Sequence, residues 1–226
     1  MLGFILSKMD LLILVTAITA IIAFFMFGLA DITKVNEAGE LASRLKETSF
    51  AFVSSPNYCF SDSYFLPNDF QVAGNTFYYV MKISEQKLET EDNEILNVVI
   101  FSVYPRTEIR RFFDDSSYEP KAIAADSFRT KAEIFLWSRD YKDLGNGIGY
   151  EGALQERTNL DEGVFLDPQA VTPVNSLELV KEVKNGQPFL YIIACNAALC
   201  DADKTVVGEQ VHPPDASTGS EGGFSC

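Results

Sequence analysis

From Leu11 to Ala30 the chain runs twenty residues, LLILVTAITAIIAFFMFGLA, without a charge. At roughly 1.5 Å rise per residue, a helix of that length crosses a hydrocarbon core about 30 Å thick. The helical spacing then continues past the apolar run. Ile32, Val35, Ala38, Leu41, Ala42, Leu45 and then Ser49 or Phe52 recur every three or four residues. Asp31, Lys34, Glu37, Glu40, Arg44 and Glu47 fill the opposite face, and no proline interrupts before Pro56. That pattern predicts one helix from Asp10 to Val53, about 65 Å long, apolar in its first half and amphipathic in its second.

Beyond Pro56 the period changes from helix to strand. Tyr58–Phe70 is aromatic and turn-rich, which predicts an extended segment laid across a head, with a turn at Val72–Asn75. Thr76–Ile83 and Ile95–Tyr104 read as strands joined by a long charged connection over Glu85–Glu94. Pro105–Phe128 shows no period and is expected to be irregular. Its Arg106, Arg110 and Arg111 are expected to form surface pairs with Asp114, Asp115 and Glu119. Arg129–Ser138 reads as a further strand and Lys142–Gly152 as a glycine-rich loop. Val174–Val183 and Pro188–Ala194 form the strongest hairpin signal. Asn185-Gly186 between them supplies the positive φ values of a two-residue turn. Gly208–Cys226 carries too little apolar surface to order itself.

These elements predict an α+β protein: a membrane-spanning and amphipathic helix carrying a mainly antiparallel sheet of about five strands. The organisation is a short leader (1–9), a transmembrane helix (10–30), an amphipathic continuation (31–55), a β-rich head (56–207) and a disordered tail (208–226). Lys8 and the α-amino group bias the N-terminus toward the cytoplasm and the head toward the extracellular or periplasmic-like side. The rival is a signal peptide cleaved after Gly28-Leu29-Ala30. The apolar run is long for that role, and its continuation favours a retained anchor.

Composition sharpens this picture at two points. Of the net charge of −14, almost all lies after residue 30, because only Lys8 and Asp10 are charged before it. So acidic a head repels nucleic acid, which is excluded as a partner. Partners are instead expected through the N-terminal helix: the lipid bilayer, further copies of the chain, or another membrane-complex subunit. The four cysteines, Cys59, Cys195, Cys200 and Cys226, suggest an oxidising compartment. Cys195 and Cys200 are spaced to close a small loop, and Cys59 then pairs with Cys226 or stays free.

Candidate chemistry is sparse. Gly145, Gly147 and Gly149 give G-x-G-x-G, but no helix-opening sequence, lysine or serine follows as a phosphate loop requires. Asp140, Asp143, Asn146 and Glu151 fall short of calcium-loop spacing, with Lys142 at the second ligand position. The only histidine, His212, lies in the tail, so serine and thiol nucleophiles lack a visible base. No enzyme, metal or cofactor is expected.

The order of an apolar N-terminal helix, an alanine- and leucine-spaced continuation, Ser55-Pro56 and the extended Tyr64-Phe65-Leu66-Pro67 stretch resembles archaeal type IV pilin-like surface proteins. The resemblance covers roughly residues 1–80 and is one of layout. Ser7-Lys8-Met9 precedes Asp10 without the glycine that ends such leaders, and Asp10 is the one acidic residue near the start of the apolar segment. The resemblance implies a filament or surface subunit that packs through its helix, where Ala17, Ala20 and Ala23 share one side and permit close approach. The alternative is a single-pass accessory or ligand-sensing ectodomain of a membrane complex.

Overall fold

The computed structural model describes residues 2–72, 74–115, 117–157, 163–213 and 222–224. A single helix, α1 (Leu2–Ser54), opens the chain and is long and apolar enough to cross a membrane. It starts at Leu2, so the helix includes the segment expected as a leader. Thr16, Thr19 and Thr33 donate their hydroxyls to the carbonyls of Ile13, Val15 and Leu29, at 2.9, 2.7 and 2.8 Å. This satisfies them inside the helix's own ladder.

The other elements are β1 (Cys59–Phe65), β2 (Phe70–Val72), β3 (Asn75–Phe77), β4 (Tyr79–Glu89), β5 (Ile95–Pro105), α2 (Arg106–Asp114), β6 (Ala124–Thr130), β7 (Glu133–Asp143), β8 (Ile148–Glu156), β9 (Val164–Leu166), β10 (Ser176–Lys184), β11 (Gln187–Cys195) and α3 (Cys200–Val211). They build a five-stranded sheet in the order β1-β10-β11-β7-β8, a four-stranded sheet β6-β5-β4-β9 and the small β2–β3 hairpin. All pairings are antiparallel except β11 with β7. The α+β class with antiparallel-rich sheets is as expected, but the strands number eleven among the described residues instead of about five.

Several local expectations are corrected. The Glu85–Glu94 connection is mostly strand: β4 runs to Glu89 and turns back through Thr90–Glu94, its charged residues on a solvent-facing ribbon. The segment Pro105–Phe128 is not irregular, since it holds α2 and β6. The single strand expected over Arg129–Ser138 is two, broken at Lys131-Ala132 where the chain leaves one sheet for the other. The glycine-rich Lys142–Gly152 is a tight turn between β7 and β8, whose buried face is Ile148, Tyr150 and Leu154. The tail is also partly ordered. Helix α3 reaches Val211, and Phe224 folds back onto Tyr191 with ring centroids 5.0 Å apart. Gly208 makes this return possible, because a Cβ there would stand 2.9 Å from the Phe224 backbone nitrogen.

The second half of α1 lies inside the head. Ala38, Leu41, Ala42, Leu45 and Phe52 are buried at helical spacing against alternate residues of β5 (Val99, Phe101, Val103) and of β10 and β11 (Leu177, Leu179, Leu190, Ile192). Both sheets and the helix therefore share one core. Polar ties reinforce the junction. Lys46 pairs with Asp126 of β6 at 2.8 Å, and the Lys181 ammonium donates to the Ser55 carbonyl at the helix end.

The five-stranded sheet is covered on its other face by α3, which explains why β10 is buried at every position from Ser176 to Glu182. Val180, Tyr191, Ile193, Trp137 and Val207 make a second apolar cluster there. The intervening charges are paired: Arg139 with Asp203 at 2.6 Å, Lys204 with Glu178 at 3.1 Å, and His212 with Glu182 at 2.8 Å. The hairpin β10–β11 turns at Asn185-Gly186 with φ of 53° and 80°, as the sequence predicts.

Cys195 ends β11 and Cys200 opens α3. Their sulfurs lie at disulfide distance and their Cα atoms are 5.2 Å apart. Cys59 is also disulfide-bonded, and Cys226 lies outside the described residues. The bridge fixes the start of a helix with little apolar face of its own. Closing so small a loop contributes about 2 kcal/mol by chain entropy. Non-reducing peptide mapping should recover Cys195 and Cys200 in one linked species, and recovery of both as free thiols would refute the pairing.

Candidate functional sites: an exposed helix face and a polar cleft

Among the described residues, the first half of α1 carries large apolar side chains that are exposed. Ile13, Leu14, Val15, Ile18, Ile21, Ile22 and Phe24 are all exposed, and the aliphatic residues Leu29, Ile32 and Val35 continue that exposure toward the head. Ala17 and Ala20 are exposed on the same half of the helix and Ala23 is partly covered. Their spacing of three keeps them on one side of the helix, as the sequence predicts.

The other feature is a cleft of about 720 Å³ on the head. Helix α2, the β7–β8 turn, the β3–β4 junction and the loop after β9 form its walls. Pro105 ends β5 in an extended conformation, and the Arg106 N–H that opens α2 donates to the Tyr78 carbonyl at 3.1 Å. Arg106, Arg110 and Asp114 follow at four-residue intervals and all line the cleft.

Behind the cleft wall lies Asp167, fully buried directly after β9. Its carboxylate accepts from Arg106 Nε at 3.0 and 3.2 Å, from the Tyr141 hydroxyl at 2.8 Å and from the Gln169 backbone N–H at 2.9 Å. Its own N–H donates to the Tyr150 hydroxyl at 3.0 Å, and that hydroxyl donates to the Phe165 carbonyl at 2.8 Å. Burial first, and the Asp167 charge after it, push the Tyr141 and Tyr150 phenols well above their ordinary value. Both therefore stay neutral donors. The expected surface pairing of Arg106 is thus corrected: its partner is a buried aspartate 61 residues away in sequence.

The remaining sequence candidates are placed as follows. Gly145 and Gly147 line the cleft in the β7–β8 turn, and a strand rather than a helix follows them. Of the calcium-loop residues, Asp140 pairs with Arg157 at 2.8 Å and Glu151 with Lys142 at 2.6 Å, while Asp143 accepts from the Gly145 N–H at 2.8 Å. No group of three or more metal-ligating side chains comes together among the described residues. His212 is held between Glu182 and Lys184 instead of lying in a loose tail. Asp167 escaped sequence reasoning. Its only signal is an aspartate set between an apolar triplet, Val164–Leu166, and Pro168.

No protein-family model matches this chain, and no curated protein or solved structure matches it either.

Proposed function

We propose that this chain is a non-catalytic, membrane-anchored surface subunit of pilin-like layout. Helix α1 holds it in the bilayer and packs against neighbouring copies or a membrane partner. The N-terminus is cytoplasmic and the head lies outside. One observation carries the reading: a single uninterrupted helix is bare and apolar at residues 13–24 yet buried in the head's core from Ala38 to Phe52. A separate anchor would need only a linker. A helix shared by membrane segment and core couples the head rigidly to whatever the exposed half contacts. The Cys195–Cys200 bridge agrees with an oxidising location for the head.

Electron microscopy of native membranes, with mass spectrometry of the extracted chain, tests this. We expect carbonate-resistant protein that retains Leu11–Ala30 and forms filaments or ordered arrays. A mature chain beginning at Asp31 overturns the anchor. A strictly monomeric protein in native membranes overturns the pilin-like assembly. The cleft between α2 and the β7–β8 turn favours a second reading, a ligand-sensing or accessory ectodomain on the same anchor.

A further inference from the structure

The volume of the cleft falls within the roughly 300–1,000 Å³ typical of small-molecule sites. Its charges are distributed in an unusual way. Arginines are its cationic groups, and two of them stand on one face of α2. Yet Arg110 makes no ion pair or hydrogen bond among the described residues, and neither does Asp114 one turn further along α2. Arg106 commits only its Nε to Asp167, which leaves both terminal amino groups available at the cleft wall. The Asp167 contact also fixes the plane of that guanidinium. Two guanidinium groups and a free carboxylate therefore line one space, with Phe77, Phe113 and Val171 as its apolar side.

From this arrangement we propose that the cleft binds a small zwitterion of the α-amino acid class. Its carboxylate lies against Arg106 and Arg110, its ammonium group against Asp114, and its side chain on the aromatic wall. Guanidinium donors match a carboxylate in a bidentate way and give the stronger, charge-assisted hydrogen bonds. A phosphate dianion meets the same arginines but is opposed by Asp114 and Asp143. A neutral polyol leaves the arginine charges uncompensated. An ammonium and a carboxylate carried on one carbon use both signs of charge in the wall, since Arg110 and Asp114 are neighbours one turn apart on α2. The assignment holds whether or not the chain assembles, because the cleft lies wholly within the head.

The test uses the full chain in detergent, with each standard amino acid at millimolar concentration, read first as a melting shift and then by calorimetric titration. At least one amino acid should raise the midpoint, as a ligand that binds only the folded state does. Arg110→Ala should leave the unliganded midpoint unchanged, since Arg110 supports nothing in the head, and should weaken binding by about 10–100-fold. Asp114→Asn should weaken the amino acid by about tenfold while leaving binding of the corresponding deaminated carboxylic acid unchanged. The proposal is overturned if no amino acid shifts the wild-type midpoint or if Arg110→Ala keeps wild-type affinity. It is overturned equally if the deaminated acid binds the wild-type protein as tightly as the amino acid does.

Discussion

Replacing Asp167 with alanine is expected to lower the thermal midpoint of the full chain more than any other single substitution of a polar residue in the head. The carboxylate is fully buried and satisfies three donors at once: Arg106 Nε, the Tyr141 hydroxyl and the Gln169 N–H. Removing it strands a guanidinium that is two-thirds covered and a phenol held neutral by burial. Breaking a buried pair from one side typically costs on the order of 3–5 kcal/mol, and here the cost falls on the covered Nε–H of Arg106 and the Tyr141 hydroxyl, which lose their acceptor inside the wall. Against a total stability of about 5–15 kcal/mol this is a large fraction. For a domain of this size it corresponds to a shift of roughly 6–20 °C.

Glu151→Ala is the control. Its partner Lys142 sits 2.6 Å away, but both side chains are at least half exposed. Such a pair contributes about 0–1 kcal/mol, so its loss should move the midpoint little. Equal shifts in the two variants would mean that the Asp167 cluster does not organise the cleft wall. A large shift for Asp167 alone would identify the cluster as the support that holds Arg106 in place.

The contrast between these two pairs shows what the sequence could and could not reveal. The second half of α1 was legible because Ala38, Leu41, Ala42, Leu45 and Phe52 repeat at the period of a helix face, and that face is the one buried. The β10–β11 hairpin was legible because Asn185-Gly186 dictates a local turn. Both signals are contained within a few residues of sequence.

The rest depends on long-range partners. The buried face of β8 alternates Ile148, Tyr150 and Leu154, but Gly149 and Gly152 dilute the pattern until it reads as a loop. Helix α3 has almost no apolar stripe, and Asp203 and Lys204 secure it to Arg139 and Glu178 of strands distant in sequence. The parallel pairing of β11 with β7 joins segments more than fifty residues apart and leaves no local trace. Asp167 and its donors come from three separate stretches, so one acidic residue among 32 could not be singled out.

If α1 packs against further copies in a bilayer as proposed above, replacing Ala20 with leucine should abolish that assembly while leaving the protein in the membrane. Ala17 and Ala20 are exposed on the bare half of α1, and Ala23 follows on the same side, flanked by larger exposed residues such as Ile18, Ile21 and Ile22. In lipid there is no hydrophobic gain from bringing two helices together, since lipid tails are as apolar as leucine. Association must then come from close packing, which small side chains permit and a leucine at the contact prevents. Insertion itself should not suffer, because leucine is at least as favourable as alanine within the hydrocarbon.

A volume-conserving swap two residues along the helix, Ile22→Leu, points about 160° away from Ala20 and should leave assembly intact. Together the two variants separate a specific contact from a general sensitivity of the anchor. The readouts are filaments or arrays by electron microscopy and oligomer size after mild detergent extraction. Loss in Ala20→Leu with retention in Ile22→Leu places the interface on the alanine side of α1. Wild-type assembly in both variants refutes that face as the contact and means that any association of this chain runs through the head.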